Sequence, residues 1–287
     1  MSSVRLENIN ISFGNINALS NLNLEIKDGE FFVLLGPTGA GKTTTLRIIS
    51  GLEIPDSGNI FFNEEKVNDV QPAFRDTSYV FQQYSLYPHY SVYDNLAFPL
   101  RSPLRKSDKK TIDDRVRQIA RLLKIENKLN NKATQLSGGE MQRVSLGRAL
   151  VREPNIYLMD EPLSSLDAQL REELRIELKK IQTDLNATIL YVTHDQIEAT
   201  TMADRIGVLK EGVLTQVGTP QEIYEEPNSI YVANRLGSPK INILENKQIH
   251  NSQNSSASYV GIRPVSYTHL RANETRHDLV CRLLLEK

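Results

Sequence analysis

The sequence predicts an α/β fold in which a parallel sheet is covered on both faces. Three short runs, at residues 31–35, 156–159 and 188–192, are almost wholly apolar. Continuous apolar runs of this length are typical of strands buried on both sides, as the strands of parallel sheets are. Polar residues close each run, and helical patterns separate the runs. We therefore expect the three runs to be central strands of one sheet.

The segment between the second and third runs is predicted to be helical. Asp167 can serve as its N-cap. Beyond it, apolar residues recur at three- and four-residue spacing, at Leu174, Leu178, Ile181 and Leu185. This spacing places them on one face of an amphipathic helix that packs on the sheet.

Polar residues follow each of the three predicted strands. The first run leads into GPTGAGKT at 36–43, the second into Asp160 and Glu161, and the third into Thr-His-Asp at 193–195. Open α/β sheets bind ligands at the carboxyl ends of their strands, so we expect the three clusters to converge on one site. The simpler alternative is that each polar end only marks where a strand surfaces.

The first cluster has the pattern and context of a phosphate-binding loop. Its glycines let backbone N–H groups face phosphate oxygens, and the N-terminus of the following helix adds partial positive charge. Lys42 would reach the β- and γ-phosphates, and the Thr43 hydroxyl would ligate Mg²⁺. The sequence therefore predicts a nucleotide site at this loop.

The acidic pair has both a catalytic and a structural interpretation. One carboxylate of Asp160 and Glu161 can hold Mg²⁺ by way of water, while its neighbour orients or deprotonates a water at the γ-phosphate. Acidic pairs at strand ends are also common for structural reasons. The phosphate-binding loop favours the catalytic interpretation.

A second glycine-rich segment, LSGGE at 136–140, leads into a helical pattern. A Ser-Gly-Gly turn presents N–H donors and a hydroxyl at a helix N-terminus, so it can bind another anion. Taken alone, an ordinary capped helix explains the segment more simply. The two interpretations stay open until the other motifs are considered.

Composition excludes several classes of protein. The 34 Lys and Arg residues against 35 Asp and Glu give a net charge of −1, with no global field for nucleic acid or an anionic membrane. Cys281 is the only cysteine, so a disulfide framework is impossible and a reducing compartment is expected. The N-terminus lacks a signal-peptide core, and no apolar run is long enough to span a bilayer. We expect any membrane function to come from partners.

In their order along the chain, these motifs resemble those of ABC-transporter nucleotide-binding subunits, over about residues 4–264. The Walker A motif would be 36–43, the Q-loop residue Gln82 and the ABC motif 136–140. Walker B would be 156–160, followed by its glutamate Glu161, with the D-loop at 164–167 and the switch histidine at His194. Six motifs in the right order leave little room for coincidence.

The resemblance implies a RecA-like P-loop NTPase core with an N-terminal antiparallel β patch, a helical subdomain and a truncated β-rich regulatory domain. It implies ATP and Mg²⁺ as ligands. The ATP-binding residues would be Phe13, Gly36, Pro37, Thr38, Gly39, Ala40, Gly41, Lys42, Thr43, Thr44, Ser137, Gly138, Gly139, Glu140 and Asp167. The catalytic residues would be Glu161, His194 and Gln82, and the metal ligands Thr43, Gln82 and Asp160.

The resemblance also implies partners. In such proteins two copies sandwich two ATP molecules, so Ser137 and Gly139 would contact a γ-phosphate bound by the other copy of a homodimer. Phe13 stands where the family places an aromatic residue to stack on adenine; a core phenylalanine is the alternative. The surface at 81–89 would receive a helix from membrane permease subunits, at the cytoplasmic face of the cell membrane.

A narrower resemblance concerns the transported solute. Residues 218–242 and the GIRP segment at 261–264 look like those of importers of carbohydrate and glycerol phosphate, of which the maltose importer is the best known. It implies ATP hydrolysis that energises import, with an external solute-binding protein as a further partner. Sugar comes first among the solutes, with glycerol phosphate and polyamine as alternatives.

The expected domain boundaries follow from the resemblance. The ATP-binding domain would span 1–235, with the helical subdomain at about 84–150 and a polar loop at 101–110 inside it. Residues 236–264 would begin the regulatory domain. Residues 265–287 match no part of that domain and are expected to be artefactual.

Two departures and two rival interpretations remain. The ABC motif usually ends in Gln where this chain has Glu140, and the D-loop usually carries Asn where it has Ser165. Glu140 could weaken ATP binding unless it points along its helix. One rival is a soluble ABC ATPase that remodels DNA or ribosomes. DNA-repair relatives insert a long coiled coil between Gln82 and Leu136, whereas this sequence has no sustained heptads there. Ribosome-associated relatives usually carry two such cores in one chain. A non-catalytic regulatory module conflicts with the presence of both Glu161 and His194.

Overall fold

The computed structural model of the protein describes residues 1–102, 108–245 and 259–263. Within these ranges, strands and α-helices alternate over most of the chain. The strands are β1 (Val4–Phe13), β2 (Ile16–Ile26), β3 (Phe31–Leu35), β4 (Ser57–Phe62), β5 (Glu65–Lys66), β6 (Thr77–Val80), β7 (Ile156–Asp160), β8 (Ile189–Thr193), β9 (Arg205–Lys210), β10 (Val213–Gly218), β11 (Asn242–Glu245) and β12 (Tyr259–Ile262). The α-helices are α1 (Lys42–Ser50), α2 (Val92–Ala97), α3 (Lys109–Leu122), α4 (Gly138–Leu150), α5 (Ala168–Leu185), α6 (Gln196–Met202), α7 (Pro220–Glu225) and α8 (Ile230–Ala233).

A six-stranded sheet of order β10-β9-β3-β8-β7-β6 lies at the centre. The five strands from β9 to β6 run parallel, and β10 is antiparallel to β9. The three apolar runs are the neighbouring strands β3, β8 and β7, so the predicted α/β class is confirmed. Leu35 pairs with Thr193, and Asp160 pairs with Val192. The carboxyl ends of these strands therefore lie level with one another.

Both faces of this sheet are buried, which explains why its strands are apolar at every position. Successive side chains of a strand point to opposite faces. In β3, Phe31, Val33 and Leu35 join one apolar cluster, whereas Phe32 and Leu34 join the other. The strands β7 and β8 alternate between the same two clusters. Each face thus has its own core, and the phosphate-loop helix α1 packs into the second.

The helix predicted after Asp167 is present as α5. The Asp167 carboxylate accepts a hydrogen bond from the Leu170 N–H at 3.0 Å, which is the predicted N-cap. Leu174, Leu178 and Ile181 are buried on the sheet side, and Leu185 is half-buried. The predicted spacing therefore identifies the packed face.

The N-terminal part of the chain forms a separate antiparallel sheet of order β2-β1-β4-β5. This is the predicted β patch. Its inner residues belong to the same apolar cluster as α1, so the patch covers that side of the central sheet. Phe13 pairs with Ile16 at the tight end of the β1–β2 hairpin.

Helices α2, α3 and α4 lie in the segment 84–150, where the sequence predicted helix. The predicted polar loop at 101–110 ends earlier than expected, because the Asp108 carboxylate caps α3 by accepting from the Thr111 N–H at 2.8 Å. Residues 103–107 of that loop lie outside the described residues. The apolar faces of the three helices join the first core cluster, so the segment is continuous with the central sheet.

Near the end of the described chain, β11 and β12 pair as an antiparallel hairpin. The buried Arg263 guanidinium donates hydrogen bonds to the carbonyls of Leu236 and Tyr224 and so connects the hairpin to α7 and to the segment after α8. The predicted tail at 265–287 lies outside the described residues. Within the described ranges, no helix combines the length and apolarity needed to cross a membrane.

Candidate nucleotide site

The carboxyl edge of the central sheet brings the predicted motifs together. The loop 36–43 follows β3, Asp160 ends β7 with Glu161 directly after it, and His194 follows β8. Because these strands are neighbours with level ends, their loops meet at one edge. The three polar clusters therefore converge on one edge of the sheet, as the sequence predicted.

The loop after β3 has the shape of an anion cradle. Gly39 and Gly41 have positive φ angles of 80° and 102°, a conformation that side-chain-bearing residues rarely adopt. A Cβ at Gly41 would also lie 2.5 Å from the Ala18 carbonyl oxygen. Within the described chain no side chain caps the N-terminus of α1. Its first backbone N–H groups are therefore free of a side-chain partner and can bind phosphate.

The side chain of Lys42 points back into this loop. It is only 5% exposed, and its Nζ donates to the carbonyl oxygens of Gly36 and Pro37 at 3.0 and 3.1 Å. The same Nζ lies 3.3 Å from Glu161 Oε1. Carbonyls and a carboxylate thus hold the ammonium at the position where a P-loop lysine meets phosphate.

The Thr43 hydroxyl donates a hydrogen bond to Asp160 Oδ1 at 3.1 Å, and the Tyr79 hydroxyl donates to Oδ2 at 3.2 Å. Burial raises the pKa of the Asp160 carboxyl, although both hydroxyl donors oppose that shift. Burial and the nearby Asp160 raise the pKa of Tyr79 well above its usual value. A hydroxyl beside a carboxylate is a donor set of hard oxygens, as Mg²⁺ prefers. The pair therefore fits a magnesium ion that completes its coordination with water and phosphate oxygens.

Glu161 and His194 form a close pair. Glu161 Oε2 lies 2.9 Å from His194 Nδ1. The Glu161 backbone donates to the Val192 carbonyl at 3.1 Å, and its own carbonyl accepts from the Ser164 hydroxyl at 2.9 Å. Its φ of 43° is unusual for a residue with a side chain. Hydrogen bonds on both sides therefore hold a turn that aims the carboxylate at Lys42 and His194.

The remaining residues predicted to bind ATP around the loop differ in exposure. Gly36 and Ala40 are buried, Pro37 and Thr44 are half-buried, and Thr38 is exposed. Phe13 is 47% exposed, so the alternative that it is a core phenylalanine is wrong. Gln82 is exposed two residues beyond β6, at the same sheet edge as Asp160. These positions leave Phe13 and Gln82 available to a ligand.

The ABC motif forms the capped start of α4. The Ser137 hydroxyl accepts from the Glu140 N–H at 3.3 Å, and Glu140 Oε2 accepts from the Ser137 N–H at 2.8 Å, which is a capping box. The Ser137 N–H lowers the pKa of Glu140, and Lys128 Nζ lies 3.1 Å from its Oε1. Glu140 thus points along the helix and is paired, so its negative charge is largely compensated.

The structure does not bring the ABC motif to the phosphate loop of its own chain. Within the described residues, the polar contacts of Lys42, Thr43 and Glu161 involve none of Ser137, Gly138, Gly139 or Glu140. A Cβ at Gly139 would lie 2.1 Å from a methyl of Leu170, so this glycine permits α4 and α5 to approach closely. Asp167 serves as the N-cap of α5 and likewise makes no contact with Lys42, Thr43 or Glu161. Within the described residues, the ABC motif and Asp167 therefore stand apart from the polar contacts of the phosphate loop.

Two further contacts were not predicted from the sequence. Tyr79 orients Asp160, and Ser164 fixes the turn at Glu161. Tyr79 lies on β6, and only the pairing of β6 with β7 brings it beside Asp160. No motif marks that pairing, whereas Ser164 lay in the predicted D-loop and its proximity to Glu161 was a usable signal.

Comparisons with known proteins agree with this geometry. The sequence profile of the ABC transporter family matches residues 19–164. The chain is similar to the trehalose/maltose import ATP-binding protein of Thermococcus litoralis, with 53% identity over 85% of this chain and 67% of the relative. It is also similar to the sn-glycerol-3-phosphate import ATP-binding protein of Brucella abortus, with 52% identity over 86% of this chain and 70% of the relative.

Solved structures show the same fold. A dimeric bacterial ABC transporter cassette shares 33% identity, with a TM-score of 0.67 over 76% of this chain and 98% of the cassette. The dimeric post-hydrolysis state of that cassette, bound to ADP and phosphate, shares 34% identity at the same TM-score and covers the same shares of both chains.

Proposed function

This chain belongs to the ABC transporter family, and on that premise we propose that it hydrolyses ATP to energise the import of a carbohydrate through a partner membrane permease. One observation carries the catalytic part of the proposal. Lys42, Glu161 and His194 meet at one sheet edge, with Glu161 lying 3.3 Å from the Lys42 ammonium and 2.9 Å from the His194 imidazole. Together they supply a cation for the phosphates, a carboxylate that can act as a base toward water and an imidazole that can orient that carboxylate, which suits the positioning and charge stabilisation on which phosphoryl transfer depends.

The phosphate loop would bind the ATP phosphates through the N–H groups at the start of α1 and through Lys42. Phe13, exposed at the end of the β1–β2 hairpin, would stack on the adenine. Thr43 and Asp160 would hold Mg²⁺, which when bound neutralises charge on the β- and γ-phosphates. Gln82, exposed at the same edge, would complete the metal and water environment.

Glu161 would act as the general base. It would accept a proton from the water that attacks the γ-phosphorus, while the bond from that phosphorus to the bridging oxygen breaks and ADP leaves. His194, held at hydrogen-bond distance from Glu161, would keep the carboxylate oriented. Positioning and fixed charge account for most of the catalysis in this class of reaction.

Hydrolysis would require a homodimer. Ser137, Gly138, Gly139 and Glu140 stand apart from the phosphate loop of their own chain, so a second copy would present them to the γ-phosphate. The N–H groups of Gly138 and Gly139, which the capping box of Ser137 and Glu140 leaves without a side-chain partner, suit such an anion. The dimeric cassettes to which this chain is similar support that arrangement.

The solute class and the partners rest on the relatives. Similar relatives are named as import ATP-binding proteins for trehalose/maltose, maltose/maltodextrin and sn-glycerol-3-phosphate. They favour transport over the remodelling of DNA or ribosomes. We propose membrane permease subunits and an external solute-binding protein as partners, with the chain at the cytoplasmic face of the cell membrane. We keep 1–235 as the ATP-binding domain, with its helical subdomain at about 84–150 and the regulatory part beginning at 236.

The proposal is tested in two stages. The purified chain is first assayed for Mg²⁺-dependent phosphate release from ATP. The permease subunits that co-purify with it are then reconstituted with it in lipid vesicles, and uptake of labelled maltodextrin is compared with uptake of labelled glycerol 3-phosphate. Maltodextrin uptake that requires ATP supports the proposal. With the solute-binding protein supplied to the vesicles, phosphate release without uptake of maltodextrin would overturn carbohydrate as the solute, and phosphate release without uptake of either solute would overturn both solutes, while the ATPase assignment stays intact.

A further inference from the structure

A buried carboxylate lies directly beneath the switch-histidine turn. Glu198, on α6, is only 3% exposed. Its Oε2 accepts a hydrogen bond from the Thr193 hydroxyl at 2.6 Å and another from the Tyr191 hydroxyl at 3.0 Å. Tyr191 and Thr193 are alternate residues of β8, so both project from the same face of the strand. The carboxylate therefore holds the last residues of β8, the strand that His194 directly follows.

Thr193 connects this carboxylate to both sides of His194. Its hydroxyl oxygen also accepts from the Asp195 N–H at 3.0 Å, and its carbonyl accepts from the Gly36 N–H at 3.3 Å. Thr193 and Asp195 are the two residues that flank His194. The backbone on either side of the histidine is thus tied, through one hydroxyl, to Glu198.

The imidazole itself has little packing to hold it. The His194 side chain is 56% exposed, and in the part of the chain that the structure describes its polar contact is with Glu161. A half-exposed side chain takes its direction from its backbone when few neighbours confine it. The geometry of the His194–Glu161 pair therefore depends on the turn that the Thr193 hydroxyl fixes.

Burial of Glu198 is costly unless the carboxylate is well hydrogen-bonded. Burial raises the pKa of the Glu198 carboxyl, and hydrogen bonds from the Thr193 and Tyr191 hydroxyls oppose this shift. Of the charged groups nearby, Asp195 raises this pKa and Arg171 lowers it. Arg171 Nη1 lies 3.7 Å from Asp195 Oδ2, and its Nη2 donates to the Leu166 carbonyl at 2.8 Å. The cluster is therefore a specific polar network and not an isolated group in an apolar core.

We propose that Glu198 is a positioning residue for ATP hydrolysis, which holds His194 against Glu161 through the Thr193 hydroxyl. The inference rests on the roles proposed above for Glu161 and His194. It adds a group that touches neither nucleotide nor metal. Its effect on turnover arises from the alignment of the histidine turn.

The experiment compares four variants. Glu198→Ala removes the acceptor, whereas Glu198→Gln keeps a carbonyl oxygen that can accept from both hydroxyls. Thr193→Val removes only the connecting hydroxyl at nearly constant shape. Tyr191→Phe is the matched control, because it also removes a hydroxyl donor to Glu198 but breaks no link to His194. Turnover, ATP affinity and melting temperature are measured for each.

The expected result is a split between turnover and binding. Glu198→Ala and Thr193→Val should lower kcat on the order of 10- to 100-fold, the effect of a small misplacement of catalytic groups. Their dissociation constants for ATP should stay unchanged. Glu198→Gln should recover most of the lost turnover, and Tyr191→Phe should keep turnover at the wild-type level. If Glu198→Ala fails to fold, Thr193→Val carries the test.

Other outcomes separate this inference from the proposed function. If His194→Ala keeps full turnover, the proposed role of the histidine fails, and this inference fails with it. If His194→Ala loses turnover while Glu198→Ala or Thr193→Val keeps it, only the positioning role is overturned. A loss of turnover that Glu198→Gln does not restore, or that Tyr191→Phe shares, assigns the network to fold stability and also overturns the positioning role.

Discussion

Replacement of the proposed base by its amide, Glu161→Gln, is the sharpest test of the site. The carboxylate lies between two groups, with Oε1 3.3 Å from the Lys42 ammonium and Oε2 2.9 Å from His194 Nδ1. Glutamine keeps the shape and one acceptor oxygen. It removes the negative charge and the capacity to accept a proton from water.

The expected loss is set by what a general base contributes, about 10²- to 10⁴-fold in rate. This corresponds to about 3–5 kcal/mol of transition-state stabilisation. ATP binding should survive, because the Lys42 ammonium loses a competing partner while the phosphate loop keeps its backbone geometry. The variant should therefore bind ATP, fail to hydrolyse it and accumulate as a nucleotide-bound dimer.

Three measurements check this expectation. Phosphate release gives the rate, calorimetry gives the dissociation constant for ATP, and size-exclusion chromatography with ATP reports the dimer. Glu172→Gln, the same chemical change at an exposed position on α5, is the control. Near wild-type phosphate release from Glu161→Gln would refute the assignment of the base.

The remaining predictions concern binding, packing and pH. Lys42→Ala should abolish tight ATP binding in calorimetry, with Lys66→Ala on the exposed β5 as control; unchanged affinity would count against the phosphate loop. Phe13→Ala should weaken ATP binding by about 1 kcal/mol, whereas Phe74→Ala, at another exposed phenylalanine, should leave the affinity unchanged; equal affinities of Phe13→Ala and the wild type would remove Phe13 from the site. Leu178→Ala on the packed face of α5 should lower the free energy of unfolding in urea by about 2–5 kcal/mol, and Ile176→Ala on its exposed face should change it by under about 0.5 kcal/mol; similar losses would contradict the packing. Burial raises the pKa of the Glu198 carboxyl in the folded state. The contribution of this carboxyl to stability is therefore fully present below the pKa of the unfolded chain, about 4.3, and is lost as the pH rises through the pKa of the folded protein. Glu198→Gln should therefore gain stability relative to the wild type across that window in urea melts, and a constant difference would show that the carboxyl is not perturbed.

Much of the site could be predicted because its chemistry is local in sequence. The phosphate loop occupies eight consecutive positions, and Asp160 and Glu161 are adjacent, so short segments of the sequence were enough to predict these residues as parts of one candidate site. The Asp167 cap and the apolar spacing of α5 were equally local. The start of α3 was predicted too late, because a single capping aspartate, Asp108, begins the helix earlier than the polar composition suggested.

By itself, the sequence determined the fold class, the order of the motifs and the position of the candidate phosphate loop, since strand apolarity, glycine placement and helix spacing are properties of short segments. Only the tertiary structure decided that the β7–β6 pairing sets Tyr79 on Asp160, and that Glu198 holds Thr193 beneath His194. It also decided that Glu140 turns along its own helix as a cap rather than toward a phosphate. These contacts join residues through the order of strands and the direction of side chains. Neither the strand order nor the side-chain direction is encoded in any one segment, because each depends on how distant parts of the chain pack together.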